Sequence, residues 1–125
     1  MPTPESLLAT LESYVAAINS RDASRIAALF TEDAVQADPA SQPANIGRAA
    51  IETFFINGIG ASESWTFTAS DVHPCGDHVA FHFAIEVATG GASMTISGIE
   101  VFHVTEEGLL ASAHAYWGDA DMAFG

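Results

Sequence analysis

Glu100 sits where a strand pattern calls for an apolar side chain. Read with a period of two, Met94, Ile96, Gly98, Glu100, Phe102 and Val104 share one face, and Thr95, Ser97, Ile99, Val101 and His103 share the other. A carboxyl group on the apolar face loses water, and desolvation disfavours its charged form. An acid kept neutral in this way can donate a hydrogen bond, a means of stabilising an oxyanion. Two further polar residues stand against apolar surroundings. Tyr14 falls on a helical stripe with Leu7, Leu8, Leu11, Val15 and Ile18, and Asp38 precedes Pro39 at the end of an extended segment. Taken singly, Tyr14 also fits an ordinary core tyrosine, Asp38 a turn former, and Glu100 an exposed acid if a bulge at Gly98 exchanges the strand faces. Spacing alone does not bring the three together.

The elements that must position them follow from the periodicity. Thr3, Pro4 and Glu5 read as a helix start, and Asn19 to Arg21 as its break. Asp22 can cap a second helix whose apolar face is Ile26, Leu29 and Phe30, closed by Thr31, Glu32 and Asp33. Val35 to Pro39 reads as extended, Ser41 to Asn45 as loop, and Gly47 to Phe55 as a third helix. From Trp65 the period becomes two, with strands near Trp65 to Val72, Val79 to Val87, Met94 to Val104 and Leu110 to Trp117. The turns fall at Pro74 to Asp77, Thr89 to Gly91 and Glu106 to Gly108. Short connections imply an antiparallel meander, and three helices need one face of it to cover. The expected class is therefore α+β, with a cone-like shape. Val79, Phe81, Phe83, Ile85 and Val87 on one strand, and Ala111, Ala113, Ala115 and Trp117 on another, can line an apolar cavity.

Composition narrows the functions. The chain has 125 residues, 49% of them hydrophobic, which fits one domain over residues 1–125 able to bury about two-thirds of its unfolded surface. Sixteen acidic residues face only Arg21, Arg25 and Arg48, for a formal net charge of −13. Nucleic acid and anionic membrane are thus not expected as partners. Lysine is absent, which excludes Schiff-base chemistry on a lysine amine. The amino-terminal residues lack the basic start and apolar core of a secretory signal, so a cytoplasmic protein is expected. Cys75 has no partner for an internal disulfide and reads as a bystander thiol. His73, His78, His82, His103 and His114 lack the close helical spacing of a metal site, so no metal is expected.

The segment from Tyr14 runs Tyr-Val-Ala-Ala-Ile-Asn, then Asp22, Ile26-Ala-Ala-Leu-Phe30, Asp33-Ala34, Asp38-Pro39, Gly47, and Ala49-Ala-Ile51 with Phe54. Together with Phe81-His-Phe83, Ile99-Glu-Val-Phe102 and Tyr116-Trp117-Gly118, it resembles the bacterial ketosteroid isomerases, or steroid Δ5-isomerases. That resemblance implies a cone-shaped α+β domain related to nuclear transport factor 2, forming a homodimer around an apolar steroid pocket. It implies Asp38 as the general base, and Tyr14 with protonated Glu100 as the two donors to a dienolate oxygen. Trp117, Phe54, Phe83 and Phe102 would contact the steroid or flank the base, and no cofactor would be required. The family usually carries aspartic acid where this chain has Glu100, and many members carry a tyrosine where it has Phe55. Arg48 could position a water between acids, as in the Asp-Arg-Asp set of the related limonene epoxide hydrolases, but reads as a surface arginine. Two other functions remain: a polyketide-cyclase-like enzyme or dehydratase acting on a smaller ketone, and a non-catalytic carrier of apolar ligands.

Overall fold

The computed structural model describes residues 1–125. Helix α1 (Pro4–Ser20) starts in a reciprocal cap: the Thr3 hydroxyl accepts the Ser6 N–H at 3.1 Å and the Ser6 hydroxyl accepts the Thr3 N–H at 3.0 Å. Its stripe buries Leu7, Leu11, Tyr14, Ala17 and Ile18. Arg21 ends the helix in the left-handed region at φ 61°, and its guanidinium bonds the carbonyls of Ser62 and Glu63. In the last turn the Asn19 amide donates to the Phe67 carbonyl at 3.0 Å and accepts the Phe67 N–H at 2.7 Å. This double bond clips α1 to the sheet and fixes the height of Tyr14 above it.

Helix α2 (Ala23–Ala27) is shorter than its apolar spacing predicts. Asp22 caps it as expected, accepting the Arg25 N–H at 3.2 Å, but Phe30 opens strand β1 (Phe30–Ala37) instead of extending the helix. A long-range pairing overrides the local helical pattern. The Leu110 N–H donates to the Leu29 carbonyl at 2.8 Å, and Phe30 lies beside Leu110 in parallel register. Strand β2 (Asn45–Ile46) turns back on β1 before helix α3 (Arg48–Gly58), which continues one turn past the expected end into a 3₁₀ turn at Ile59–Ala61. Gly47, at φ 94°, precedes α3 in a conformation that suits glycine.

Strands β3 (Ser64–Cys75), β4 (His78–Thr89), β5 (Ala92–Val104) and β6 (Leu110–Tyr116) form the expected antiparallel meander, each at least as long as predicted except the last. Pro74 and Cys75 belong to β3, not to the turn, which is left to Gly76 and Asp77. A short β7 (Met122–Phe124), absent from the sequence expectation, adds to β5 beyond the end of β6. The strand order is β2-β1-β6-β5-β4-β3, and the parallel β1–β6 pair makes the sheet mixed. Helix α1 packs on β3 and β4, and α3 on β1. The alternation of β4 and β5 holds as read, with Val79, Phe81, Phe83 and Ile85 buried on one strand and Ile96, Glu100, Phe102 and Val104 on the other. On β6 the expected set is corrected. A register shift beside Val104 puts Leu110 inward instead of Ala111, with Ala113 and Ala115 following. Trp117 lies just past the strand end. No helix is long and apolar enough to cross a membrane.

Candidate active site

The parallel pairing of β1 with β6 carries Asp38 towards the acid of β5. The last β1–β6 pair is Ala37 with His114, so Asp38 follows one residue beyond it. Past the cis Asp38–Pro39 bond, the Ala40 N–H donates to the Ala115 carbonyl at 2.7 Å. Ala115 stands directly opposite Glu100 in the antiparallel β5–β6 pair. Asp38 and Glu100 therefore reach strand β6 from its two flanks. Tyr14 comes down from α1 to meet them.

All three line one cavity of about 300 Å³, at the small end of the range for ligand sites, with 12 of its 16 lining residues hydrophobic. Phe54, Phe83 and Trp117, expected to contact a ligand, line it as well. Phe102 does not. It is fully buried and packs edge-on against the Tyr14 ring at 4.8 Å between centroids, so it supports the phenol from outside the cavity. Phe30 and Phe67 meet the same ring edge-on at 6.5 and 5.7 Å, which leaves Tyr14 little freedom to turn. Phe67 in turn stacks on Phe83 at 5.9 Å.

Burial sets the protonation of the site. Glu100 is 2% exposed, and its Oε2 is buried with no hydrogen-bond partner. Loss of water first, and the neighbouring Asp38 carboxyl second, raise its pKa well above the ordinary glutamate value. The Tyr14 phenol is likewise raised, by burial and then by the neighbouring carboxyl groups of Glu100 and Asp38. Asp38 is half-buried and also raised by desolvation, but it accepts the Trp117 indole N–H at 2.6 Å, which works in the opposite direction. The arrangement holds two groups that keep their protons, Tyr14 and Glu100, beside the carboxyl that is easiest to ionise. That is the equipment for moving a proton on a ligand while hydrogen-bonding a developing negative oxygen.

Several wall residues were not singled out by sequence reasoning. Trp65, Phe67, Met94 and Ile96 line the cavity from the sheet, and Ile18 and Ile59 from the helical side. The strand alternation already put Met94 and Ile96 on the face of Glu100, so that signal was present for two of them. Arg48 lies away from the cavity: its Nε donates to the Phe30 carbonyl at 3.0 Å, joining α3 to β1. Cys75 is exposed.

The mixed sheet, its helical cover and the acid-bearing apolar cavity define an α+β protein of the cone-shaped class related to nuclear transport factor 2. The SnoaL-like domain family matches residues 11–113, and the chain belongs to that family. A curated relative, the steroid Delta-isomerase of Nocardioides simplex, is 32% identical over 114 residues, covering 91% of each chain. Among solved structures, the epoxide hydrolase/cyclase-like enzyme SalBIII, with a role in pyran ring formation in the polyether salinomycin, aligns over 100% of both chains with a TM-score of 0.91 and 25% identity. RV0760c from Mycobacterium tuberculosis, in complex with estradiol-17beta-hemisuccinate, aligns over 95% of this chain and 98% of its own with a TM-score of 0.87 and 22% identity.

Proposed function

We propose that this chain, an isomerase by its kinship with the Nocardioides enzyme, converts 3-oxo-Δ5-steroids to conjugated 3-oxo-Δ4-steroids. Asp38 takes a proton from the carbon between the ketone and the double bond and returns it further along the conjugated system. The intermediate dienolate places its charge on the ketone oxygen, which accepts hydrogen bonds from Tyr14 and from the neutral carboxyl of Glu100. This mechanism is taken over from the ketosteroid isomerases, themselves the standard example of a carboxylic acid kept neutral to act as a donor. No proton need leave the site.

The observation that carries the reading is the convergence of Tyr14, Asp38 and Glu100 on one largely apolar cavity, with Glu100 buried and its Oε2 unpartnered. A buried acid lacking a partner is poorly matched to a purely structural role, and a ligand oxygen that gains charge gives it one. An epoxide-opening reaction built on an Asp-Arg-Asp set is disfavoured, because Arg48 is engaged by the Phe30 carbonyl. The reading includes a homodimer. Ile99 and Tyr116, paired across β5 and β6 and both exposed, offer apolar surface to a second copy.

The test follows the ultraviolet absorbance of a Δ5-3-ketosteroid mixed with the purified protein, with Asp38→Asn in parallel. A rise in conjugated enone that Asp38→Asn removes is the expected result. No rise with tight binding of an equilenin-type phenol would make the chain a carrier. Neither turnover nor binding would point to a smaller ketone.

A further inference from the structure

Gly98 lies on the inward face of β5, two residues before Glu100, where the strand pattern would normally supply a side chain. Its place is already filled. A Cβ at Gly98 would fall 2.4 Å from the Tyr116 carbonyl oxygen, 3.0 Å from the Trp117 Cβ and 3.1 Å from the Phe83 Cε1. The first of these contacts is with backbone, which cannot swing aside as a side-chain tip can. Glycine is needed here for space, as where another stretch of backbone approaches a strand closely.

The pairing pattern explains what fills that space. Strand β6 follows β5 as far as Ile99 with Tyr116, and β7 resumes on the same edge at Ile96 with Met122. Gly98 falls in the gap between the two. There the chain leaving β6 closes over the inward side of β5, and the residue it carries across is Trp117, whose indole bonds Asp38. We propose that Gly98 is a positioning residue for Asp38: the space it leaves lets Tyr116 and Trp117 settle onto β5 and delivers the indole N–H to the Asp38 carboxylate. The catalytic consequence rests on Asp38 being the base; the positioning itself does not.

The test is Gly98→Ala, read in two ways. In the ¹⁵N-labelled protein the indole N–H of Trp117, distinguished from that of Trp65 by Trp117→Phe, follows the ionisation of Asp38 in the parent chain and loses that dependence in Gly98→Ala. In turnover, the acid limb of kcat/KM moves up by about one pH unit in Gly98→Ala, because the carboxylate has lost a hydrogen bond to its charged form. Trp117→Phe moves it by a similar amount, and the double variant moves it no further. An indole that still titrates with Asp38 in Gly98→Ala, or shifts that add in the double variant, would overturn the proposal. Should Gly98→Ala not fold, Trp117→Phe tests the link on which the role of Gly98 depends: a raised Asp38 titration supports that link, and an unmoved one overturns the proposal. If the protein turns over no steroid, the spectroscopic arm still decides, and the loss falls on the proposed reaction instead.

Discussion

Tyr14 and Phe102 meet edge to face with their ring centroids 4.8 Å apart, one ring lining the cavity and the other wholly buried behind it. Phe102 thus governs where the phenol points. Truncating it to alanine leaves a void and is expected to cost about 3–5 kcal/mol of stability. Phe102→Leu should cost less while still loosening Tyr14. We expect its effect on turnover to appear in kcat, with KM nearly unchanged, measured by steady-state kinetics on a Δ5-3-ketosteroid.

Tyr14→Phe keeps the ring and removes the hydroxyl. Three edge contacts hold the ring, so the fold should persist with little change in Tm. Turnover should fall on the order of a hundredfold or more, the usual loss when an oxyanion donor is removed. A variant as active as the parent would remove Tyr14 from the mechanism.

Asp38 must be ionised to accept a proton. Burial holds its pKa above the ordinary value of 3.8, so kcat/KM should rise with pH through that raised value and level off beyond it. In Asp38→Asn the limb should vanish along with most of the rate. A pH profile with its acid limb at or below the ordinary aspartate value would contradict the desolvation described for this carboxyl.

Glu100 binds its proton more tightly in the folded chain than in the unfolded one. The stability it contributes is complete below the ordinary glutamate value of 4.5 and is lost as pH rises through the raised folded value. Glu100→Gln has no proton to lose. Its Tm should therefore exceed that of the parent by about 3 °C or more at alkaline pH and converge with it under acid conditions. Turnover should fall roughly tenfold or more, since an amide is the weaker donor. Calorimetry across pH checks the first part, and steady-state rates the second.

Arg48→Ala should separate stability from catalysis. The Phe30 carbonyl loses its side-chain donor, for a cost of about 1–3 kcal/mol, while kcat stays within twofold of the parent. Denaturant unfolding beside steady-state assays would show it.

Much of this was legible in the residue pattern. The faces of β4 and β5, the helix start at Thr3 and the extended segment before Pro39 follow from local rules, and the structure keeps them; of the α1 stripe it keeps Leu7, Leu11, Tyr14 and Ile18 buried, while Leu8 is exposed. What escaped depends on distant partners. Leu29 and Phe30 continue a helical spacing, yet Leu110 bonds the Leu29 carbonyl and draws Phe30 into a strand. Three residues of β7 are too few to show a period, and their edge exists only because β6 ends early. Phe102 shares its face with Glu100, yet alternation says nothing of depth, and it lies behind the wall. The meeting of Tyr14, Asp38 and Glu100 was visible only through family resemblance, because no local spacing links α1, β1 and β5.

The Trp117–Asp38 bond joins residues 79 positions apart, and the β1–β6 pairing that supports it is equally distant in sequence. Contacts of such separation require closing a long loop, which makes them expensive in chain entropy and slow to form. No fragment of the chain can hold this cavity. During refolding, helical signal should therefore return before the ability to quench a bound phenol's fluorescence, so ligand capture would mark the moment the first third of the chain finds the last.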